Sequence, residues 1–462
     1  MRTTMDRTAE VRERDVDRVL KSAHAMDLRL VRFLYVDFGG IVRGKATHAA
    51  GLADRVDEGI ALTTAQMASN ALDDLLDIPG MTAVGEVRLV PDPTSFTVLP
   101  YAPRTGQMTC DLMTLDRQPW AFCPRAVLRR AIAAAADEGL DVQAVFENEF
   151  YLLREEGGGL VAADDSPCFS TRGMDAHAPF TDDLIAALEA QGIQVEQAVA
   201  EHGGGQQELS IRHAPALAAA DHQVVFRETA REVARQHGLR ASFAAKPFAD
   251  QVGSGAHVHL SLWDVGSGEN VFYDPGAERG FSELGRQFVA GVLDHLPGLV
   301  ALTCPTVNSY ERLLPRAWAS AYTTWGFDNR EAAVRVPSTF WGREQGTTNV
   351  ELKAVDPTAN PYLALAGIIA AGLDGVRRDL SPGDPAGVDP ATMTPEARAD
   401  AGMRRLPETL DAALTALAAD QVLVGALGAD CHRGYEAVRR SEADAYRDME
   451  LERIFAEHRR RY

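Results

Sequence analysis

The chain has 462 residues, of which 46% are hydrophobic, and a formal net charge of -20. This length predicts an enzyme-sized globular protein with roughly two to four domains. The acidic charge argues against nucleic acid or an anionic membrane as a partner and is compatible with a cationic ligand. Residues 1–7 lack an apolar signal core, and the longest apolar stretch, near 364–373, is too short to span a bilayer, so we expect a cytoplasmic protein. The five cysteines show no CxxC spacing, which argues against a zinc knuckle or a disulfide framework.

The first part of the chain is predicted to be rich in β-strands. After a helix over 11–26, the pattern predicts a strand over 30–38 and an antiparallel return over 41–45. Gly39-Gly40 lies between them and supplies the positive φ angles that a tight turn requires. A further strand is predicted over 107–113.

A change in composition marks the boundary between two predicted domains. Prolines and turn residues precede a helix that is rich in alanine and arginine. We therefore divide the chain into an N-terminal domain over 1–114 and a second domain over 115–462.

Strands alternate with helices beyond that boundary, and the last part of the chain is predicted to be helical. The predicted strands are 142–153, 194–201, 207–211, 240–248 and 255–262. The predicted helices are 125–138, 181–191, 217–237, 281–295, 362–379, 404–419, 420–427 and 436–459. Pro297 and Gly298 follow the helix over 281–295, as residues that end a helix commonly do.

Two glutamates project from one face of the strand predicted over 142–153. In the run Phe146-Glu147-Asn148-Glu149-Phe150, residues two apart point the same way, so Glu147 and Glu149 project together. Two like charges at this spacing repel, which indicates either a shared proton or bound metal ions. An isolated pair of this kind is more often a solvated strand face.

Further acids and histidines lie on other predicted strands of the same domain. They are Glu201 and Glu208 on either side of a glycine-rich loop, His257 and His259 at strand spacing, and Glu351. Each of them alone is more often structural than functional. Together, five carboxylates and an imidazole can form two mixed oxygen and nitrogen sites, a ligand set that suits Mg²⁺ or Mn²⁺.

Arginines supply the cationic half of the candidate chemistry. They are Arg312, Arg330, Arg335 and Arg343, in a stretch that also holds Asn308, Tyr310 and Asn329. A guanidinium binds carboxylates and phosphates through paired hydrogen bonds, so arginines beside two metal ions describe a phosphoryl-transfer site. The alternative is a set of surface arginines that pair with an acidic protein.

Several ordered motifs resemble those of the glutamine synthetase family over nearly the whole chain. They are 146–150, 201–208, 246–247, Gly253-Ser254-Gly255-Ala256-His257-Val258-His259, 305–313, 329–337 and 351–363. The resemblance implies an α+β fold with a small β-grasp-like N-terminal domain and a catalytic domain built on an antiparallel sheet with flanking helices. It also implies a homo-oligomer of stacked hexameric rings, a dodecamer, whose active sites lie between neighbouring subunits.

The resemblance assigns roles residue by residue. Glu149, Glu201 and Glu208 match ligands of one metal ion, and Glu147, His257 and Glu351 match ligands of the other, with two or three Mg²⁺ or Mn²⁺ ions per active site. ATP is assigned to His259, Ser261, Arg335 and Lys353, and glutamate to Glu149, Gly253, His257, Arg312 and Lys353. Arg330, Arg335 and Glu201 are assigned to catalysis. The implied reaction is phosphorylation of the γ-carboxylate of L-glutamate by ATP, followed by displacement of phosphate by an amine.

Departures from the family pattern concern the amine. Ammonia-using members carry an aspartate in a loop from the neighbouring subunit, where this chain has Ala68 or Ser69, and a flap glutamate that aligns with Trp318. An indole there offers an aromatic wall to an alkyl ammonium, and we predict an amine pocket of Ser69, Trp318 and Glu201. The alternative is that the loops are shifted and another acid serves.

Three further substitutions bear on the substrates. Asn349 and Lys353 replace usual arginines, and Val252 replaces an asparagine. Because two acids are missing, we favour ethanolamine as the acceptor, giving γ-glutamylethanolamide. The alternatives are the polyamines putrescine, cadaverine and spermidine, ammonia as in glutamine synthesis, or an inactive relative that acts as a sensor or assembly partner.

Overall fold

Two β-sheets with flanking helices organise residues 4–462, the part of the chain that this computed structural model describes. The smaller sheet has six strands between residues 30 and 113, and the larger has ten strands between residues 140 and 352. This arrangement confirms the predicted α+β class.

The smaller sheet begins with the predicted antiparallel pair. Its strands are β1 (Leu30–Val36), β2 (Val42–His48), β3 (Ile60–Thr63), β4 (Glu86–Pro91), β5 (Thr97–Val98) and β6 (Thr105–Met113), with helices α1 (Thr4–Ala25) and α2 (Leu52–Glu58). The strand order is β2-β1-β6-β4-β3, and β5 pairs with β6. Gly40 in the β1–β2 turn has a φ of 76°, and a Cβ there would overlap the carbonyl oxygen of Thr358. Both its conformation and its surroundings therefore require glycine.

The larger sheet is built around one long central strand. Its strands are β7 (Leu140–Glu156), β8 (Gly159–Ala162), β9 (Val195–Ala200), β10 (Gln206–Ile211), β11 (Ala214–Pro215), β12 (Arg240–Ser242), β13 (Ala256–Asp264), β14 (Trp325–Phe327), β15 (Val334–Val336) and β16 (Val350–Leu352). The main order is β14-β15-β16-β13-β7-β10-β9, antiparallel except for the parallel pair β14 and β15. Burial along β7 alternates from Leu140 to Phe150, because one face packs on the core while the other carries the two glutamates.

Helices cover the larger sheet and form the C-terminal part of the chain. They are α3 (Pro124–Asp137), α4 (Thr171–Ala176), α5 (Ala178–Glu189), α6 (Ala216–Gln236), α7 (Glu283–Thr303), α8 (Glu344–Thr347), α9 (Pro361–Arg377), α10 (Pro395–Asp400), α11 (Leu410–Ala419), α12 (Gln421–Leu427), α13 (Ala429–Tyr446) and α14 (Leu451–Arg461). Gly291 of α7 packs so closely on Ala371 and Gly375 of α9 that a Cβ would overlap the α9 backbone.

The predicted end of a helix before Pro297 is wrong. Helix α7 contains Pro297 and continues to Thr303. A proline inside a helix costs about 3 kcal/mol because one hydrogen bond is lost and its ring crowds the preceding turn. Leu296 and Leu299 on either side are fully buried, so packing of the apolar face outweighs that cost.

Three other predicted elements differ from the structure. The strand predicted over 240–248 ends at Ser242, because the next main-chain N–H donates to the carbonyl of Tyr462 at 2.9 Å. The helix predicted over 404–419 begins only at Leu410, since the main chain of residues 404–406 hydrogen-bonds to residues 321–323. The single helix predicted over 436–459 is two helices, α13 and α14, separated where Glu450 is extended.

Among the described residues, no single helix has the length and apolar character needed to cross a bilayer. Within residues 4–462, the one pair of helices that together reach such a length and composition is α11 and α12, which are bent by 88° at their junction. The cytoplasmic location and the domain boundary after residue 114 stay predictions.

Candidate active site

Strand register gathers the predicted acids and histidines on one face of the larger sheet. His257 of β13 lies opposite Glu147 of β7, and Glu208 of β10 lies opposite Glu149. On the other side of β13, His259 lies opposite Glu351 of β16. Residues far apart in the chain therefore become neighbours because four adjacent strands present the same face.

One half of this cluster combines carboxylates with imidazoles. His257 Nδ1 lies 3.4 Å from Glu147 Oε2 and 3.3 Å from Glu351 Oε1, and His259 Nε2 lies 3.5 Å from Glu147 Oε2. Ligand atoms of Glu147, His259 and Glu351 lie within 4.8 Å of one another, close enough to hold one metal ion. The resemblance assigned His259 to ATP, whereas the structure brings both histidines to the same carboxylate.

Positive groups keep the acids of this half ionised. Burial raises the pKa of Glu351, but Lys353 and the two histidines lower it to about 2. Burial likewise opposes ionisation of Glu147, yet hydrogen bonds from His257 and His259 hold its pKa well below the ordinary value. Burial and the charge of Lys353 lower the pKa of His257, which favours the neutral imidazole that binds metals.

The other half of the cluster contains carboxylates that repel one another. Burial and the charges of Glu147, Glu149 and Glu201 raise the pKa of Glu208 to about 10. Burial and the charge of Glu149 also raise the pKa of Glu201. Oxygen ligands of this kind suit a hard divalent cation, whose charge would relieve the repulsion. The donor set therefore fits the predicted Mg²⁺ or Mn²⁺.

Arg312 lies buried beside the cluster. Its Nη2 lies 3.3 Å from His257 Nε2 and donates to the carbonyl of Lys353 at 3.1 Å. Its buried Nη1 has no hydrogen-bond partner among the residues that the structure describes. A Cβ on Gly253 would lie 2.7 Å from Arg312 Cγ, so these two of the five residues predicted to bind glutamate lie next to each other. An unpaired buried guanidinium nitrogen suits a carboxylate ligand.

Of the residues predicted to contact ATP and the transferring phosphate, some contact Glu351 in the cluster and others lie away from it. Arg335 Nη1 lies 2.8 Å from Glu351 Oε2, and Lys353 Nζ lies 3.3 Å from Glu351 Oε1, so both belong to the cluster. Ser261 lies further along β13, where its hydroxyl accepts a hydrogen bond from the Trp263 indole at 2.9 Å. Arg330 is exposed before β15.

Two polar residues of the cluster were not predicted from the sequence. Gln206 Nε2 donates to Glu149 Oε2 at 3.2 Å, and Ser210 Oγ donates to Glu147 Oε1 at 3.2 Å. Both residues lie two positions from Glu208 on β10, and side chains two apart on a strand point to the same face. This alternation could have predicted them from the sequence. Asn349, which the sequence singled out as replacing an arginine, places its Oδ1 2.9 Å from His259 Nδ1, a contact that the pairing of β13 with β16 creates.

The predicted amine-pocket residues lie in three places. Glu201 belongs to the carboxylate cluster. Ser69 is buried in a loop of the N-terminal part, and the next residue, Asn70, donates to Ser441 Oγ of α13 at 3.3 Å. Trp318 is 63% exposed, and its main-chain N–H donates to Glu331 Oε1 at 3.1 Å. Glu331 is a third residue that was not predicted from the sequence.

Both parts of the chain match known family profiles. Residues 15–120 match the glutamine synthetase N-terminal domain, and residues 121–456 match the glutamine synthetase catalytic domain. The chain belongs to the glutamine synthetase family. It is therefore an ATP-dependent ligase of a family that requires divalent metal ions.

Similar glutamine synthetase family proteins include enzymes with different named acceptors. The gamma-glutamylpolyamine synthetase GlnA3 of Streptomyces coelicolor is 39% identical over 433 residues, covering 93% of this chain and 92% of the relative. A glutamine synthetase of Mycobacterium tuberculosis is 36% identical over 445 residues, covering 94% of this chain and 97% of the relative. A solved structure of a glutamine synthase homologue superposes with a TM-score of 0.84 at 35% sequence identity, covering 94% of this chain and 99% of the other. A GmaS/ADP complex superposes with a TM-score of 0.83 at 30% sequence identity, covering 94% of this chain and 97% of the other.

Proposed function

We propose that this protein joins the γ-carboxylate of L-glutamate to an organic primary amine, through a γ-glutamyl phosphate formed with ATP. The observation that carries the proposal is the combination of a complete acid and histidine cluster beside Arg312 with an indole, Trp318, where the family has its flap acid. The cluster supports the phosphorylation half of the reaction. The indole supports an acceptor larger than ammonia.

Two sets of side chains would hold the metal ions. Glu149, Glu201 and Glu208 form one predicted set, and Glu147, His257 and Glu351 form the other. The raised pKa of Glu208 supports cation binding, because a divalent ion replaces the proton that this carboxylate otherwise holds. Bound divalent ions supply charge neutralisation for the phosphates and for the γ-carboxylate.

The chain's own groups orient the substrates. Arg312 and Gly253 would hold the α-carboxylate of glutamate, since Arg312 Nη1 is buried without a partner among the described residues. Arg335 and Arg330 would stabilise the phosphoryl group as its charge spreads over the oxygens. Lys353, although it lacks the paired donors of an arginine, contributes a further positive charge next to Glu351.

Ethanolamine is the acceptor that we favour. It carries one ammonium group and a short uncharged arm, so it needs one negative partner and tolerates an aromatic wall. The exposed indole of Trp318 supports such a wall. The product would be γ-glutamylethanolamide.

A polyamine is the second candidate. The 39% identical relative from Streptomyces coelicolor is named for polyamine ligation. In addition, Glu331, which accepts the main-chain N–H of Trp318, interacts electrostatically with Asp389, and two neighbouring acids suit a ligand with two positive charges. Ammonia is the acceptor expected if another acid replaces both the loop aspartate and the flap glutamate of ammonia-using members.

An inactive sensor or assembly partner is the least supported alternative. It predicts damaged ligand positions, whereas all six predicted metal ligands are side chains that can bind a metal. We also propose a homo-oligomer of stacked rings, because the amine pocket requires the Ser69 loop of a neighbouring copy.

The decisive experiment is a phosphate-release assay with an amine panel. Purified protein with ATP, L-glutamate and Mg²⁺ or Mn²⁺ receives ammonium, ethanolamine, putrescine, cadaverine or spermidine, with choline as the matched control that lacks a primary amine. We expect turnover with ethanolamine and none with choline. Turnover with putrescine but not ethanolamine overturns the ethanolamine assignment, and turnover with ammonium alone overturns the whole proposal.

A further inference from the structure

Glu331 brings a carboxylate to the flap residue at which the family's acid is missing. Its Oε1 accepts a hydrogen bond from the main-chain N–H of Trp318 at 3.1 Å. The Trp318 indole carries no charge and is 63% exposed. The Glu331 carboxylate therefore lies against the backbone position from which a flap glutamate would project.

Hydrogen bonds fix the backbone on both sides of this contact. Asn329 Oδ1 accepts the main-chain N–H of Glu331 at 3.0 Å, and Asn329 Nδ2 donates to the carbonyl of Ala386 at 2.9 Å. On the flap side, Ser320 Oγ donates to the carbonyl of Ala332 at 2.8 Å. Glu331 is thus tied to the flap and to the loop that follows α9, and its place depends on both.

The charges around Glu331 connect it to the cluster. Glu331 interacts electrostatically with Lys353 and Asp389, and Lys353 Nζ lies 3.3 Å from Glu351 Oε1. Burial raises the pKa of Glu331, and the charge of Asp389 raises it further, against the hydrogen bond from Trp318 and the charge of Lys353. A partly desolvated carboxylate with an acidic neighbour attracts a cation more strongly than an exposed one.

We propose that Glu331 is the acid of the amine site, binding the ammonium group of the acceptor and taking one of its protons. This inference rests on the proposed function and adds the residue that handles the acceptor. Glu331 directly follows Arg330, which is predicted to hold the transferring phosphate. In this arrangement the Trp318 indole contacts the alkyl part of the amine, and the Glu331 carboxylate binds its ammonium group.

The acceptor R–NH₃⁺ gives one proton to the Glu331 carboxylate and becomes R–NH₂. The nitrogen lone pair forms a C–N bond to the γ-carbonyl carbon of γ-glutamyl phosphate, and the C–O bond to phosphate breaks with its electron pair on the phosphate oxygen. The nitrogen loses a second proton to the departing phosphate, which leaves a neutral amide.

The variant Glu331→Gln tests the negative charge of Glu331 separately from its hydrogen bond to Trp318. Its amide oxygen can still accept the Trp318 N–H, so the flap contact is retained while the negative charge is lost. Glu344→Gln is the matched control, because Glu344 also accepts a main-chain N–H, that of Gly342 at 2.9 Å. Each variant is assayed with ethanolamine, putrescine and ammonium, and with hydroxylamine, which is uncharged at neutral pH and needs no base.

In Glu331→Gln we expect kcat/KM for the cationic amines to fall about 100-fold or more. The KM for glutamate and the rate of γ-glutamyl hydroxamate formation from hydroxylamine should stay within about twofold of wild type. Glu344→Gln should match wild type in every assay. Equal losses with hydroxylamine and amines, or amine turnover retained in Glu331→Gln, overturn the role of Glu331 while the proposed function stands.

Wild-type results test the two proposals separately. If wild type turns over ammonium alone, the proposed function fails, and loss of that ammonium turnover in Glu331→Gln still supports the acid role. If wild type turns over none of the amines, both proposals are wrong.

Discussion

The carboxylates of Glu149 and Glu208 project from directly opposed positions on neighbouring antiparallel strands. Ordinary glutamates titrate near about 4.3, whereas burial and neighbouring acids raise the pKa of Glu208 to about 10. Between these values the folded protein holds a proton that the unfolded chain releases, so the free energy of unfolding falls as pH rises. Metal-free protein should therefore show a Tm that decreases between about pH 5 and pH 9.

Differential scanning calorimetry with and without Mg²⁺ or Mn²⁺ checks this. The metal should raise the Tm most at the alkaline end, since it competes with the proton on Glu208. Glu208→Gln, which removes the titrating group, should flatten the pH dependence of the metal-free protein. A metal-free Tm that rises over this range contradicts the prediction.

Removing Glu149 should abolish the phosphorylation half of the reaction. Glu149 accepts hydrogen bonds from Gln206 and from the main-chain N–H of Gly255 at 2.8 Å, which hold it toward the cluster. We expect Glu149→Ala to lower glutamate-dependent ATP hydrolysis about 100-fold or more, because a metal ligand is lost. Glu155→Ala, on the exposed end of the same strand, is the control and should leave hydrolysis unchanged. Full activity in Glu149→Ala would remove this residue from the site.

Arg312→Lys should weaken glutamate binding more than ATP binding. Lysine keeps the charge but loses the second donor, and a hydrogen bond to a charged group contributes about 1.5–3 kcal/mol, so the KM for glutamate should rise about 10-fold to 100-fold. Initial rates at varied glutamate and varied ATP measure the two KM values. Arg447→Lys serves as the control, because Arg447 forms an exposed ion pair with Asp444 away from the cluster. A rise confined to the KM for ATP would contradict the assignment of Arg312 to glutamate.

Trp318→Glu should move the acceptor preference toward ammonium. It restores an acid at the flap position, which attracts a small cation and removes the aromatic wall. We expect the ratio of kcat/KM for ammonium to that for ethanolamine to rise about tenfold. Trp318→Phe retains an aromatic ring and should leave that ratio near the wild-type value. An unchanged ratio in Trp318→Glu indicates that the flap does not face the acceptor.

Gly291→Ala should destabilise the contact between α7 and α9. The added methyl group would overlap the α9 backbone at Ala371 and Gly375, and overpacking of this kind costs about 1–3 kcal/mol. Urea unfolding monitored by circular dichroism gives the change in free energy of unfolding. Gly346→Ala in α8, where a Cβ meets open space, should not lower stability, and an equal loss in both variants would point to a cause other than packing.

The ordered sequence motifs, through their resemblance to the glutamine synthetase family, imply the α+β class and name five glutamates of the cluster. Period-two alternation along β7 placed Glu147 and Glu149 on one face, because side chains of a strand alternate whatever its neighbours are. The ordered motifs then named Glu201, Glu208, His257 and Glu351 as their companions. Strand alternation was sufficient to predict the pair Glu147 and Glu149, and the resemblance to the family implied the roles of the other residues.

Strand register and loop packing determine which residues meet across strands and loops. The contact between Asn349 and His259 depends on the register of β16 against β13, and Glu331 reaches Trp318 because the flap folds back onto the segment before β15. Helix α7 continues through Pro297 because burial on both sides outweighs a local preference. Such outcomes depend on the sum of long-range contacts, and no local pattern in the chain encodes that sum.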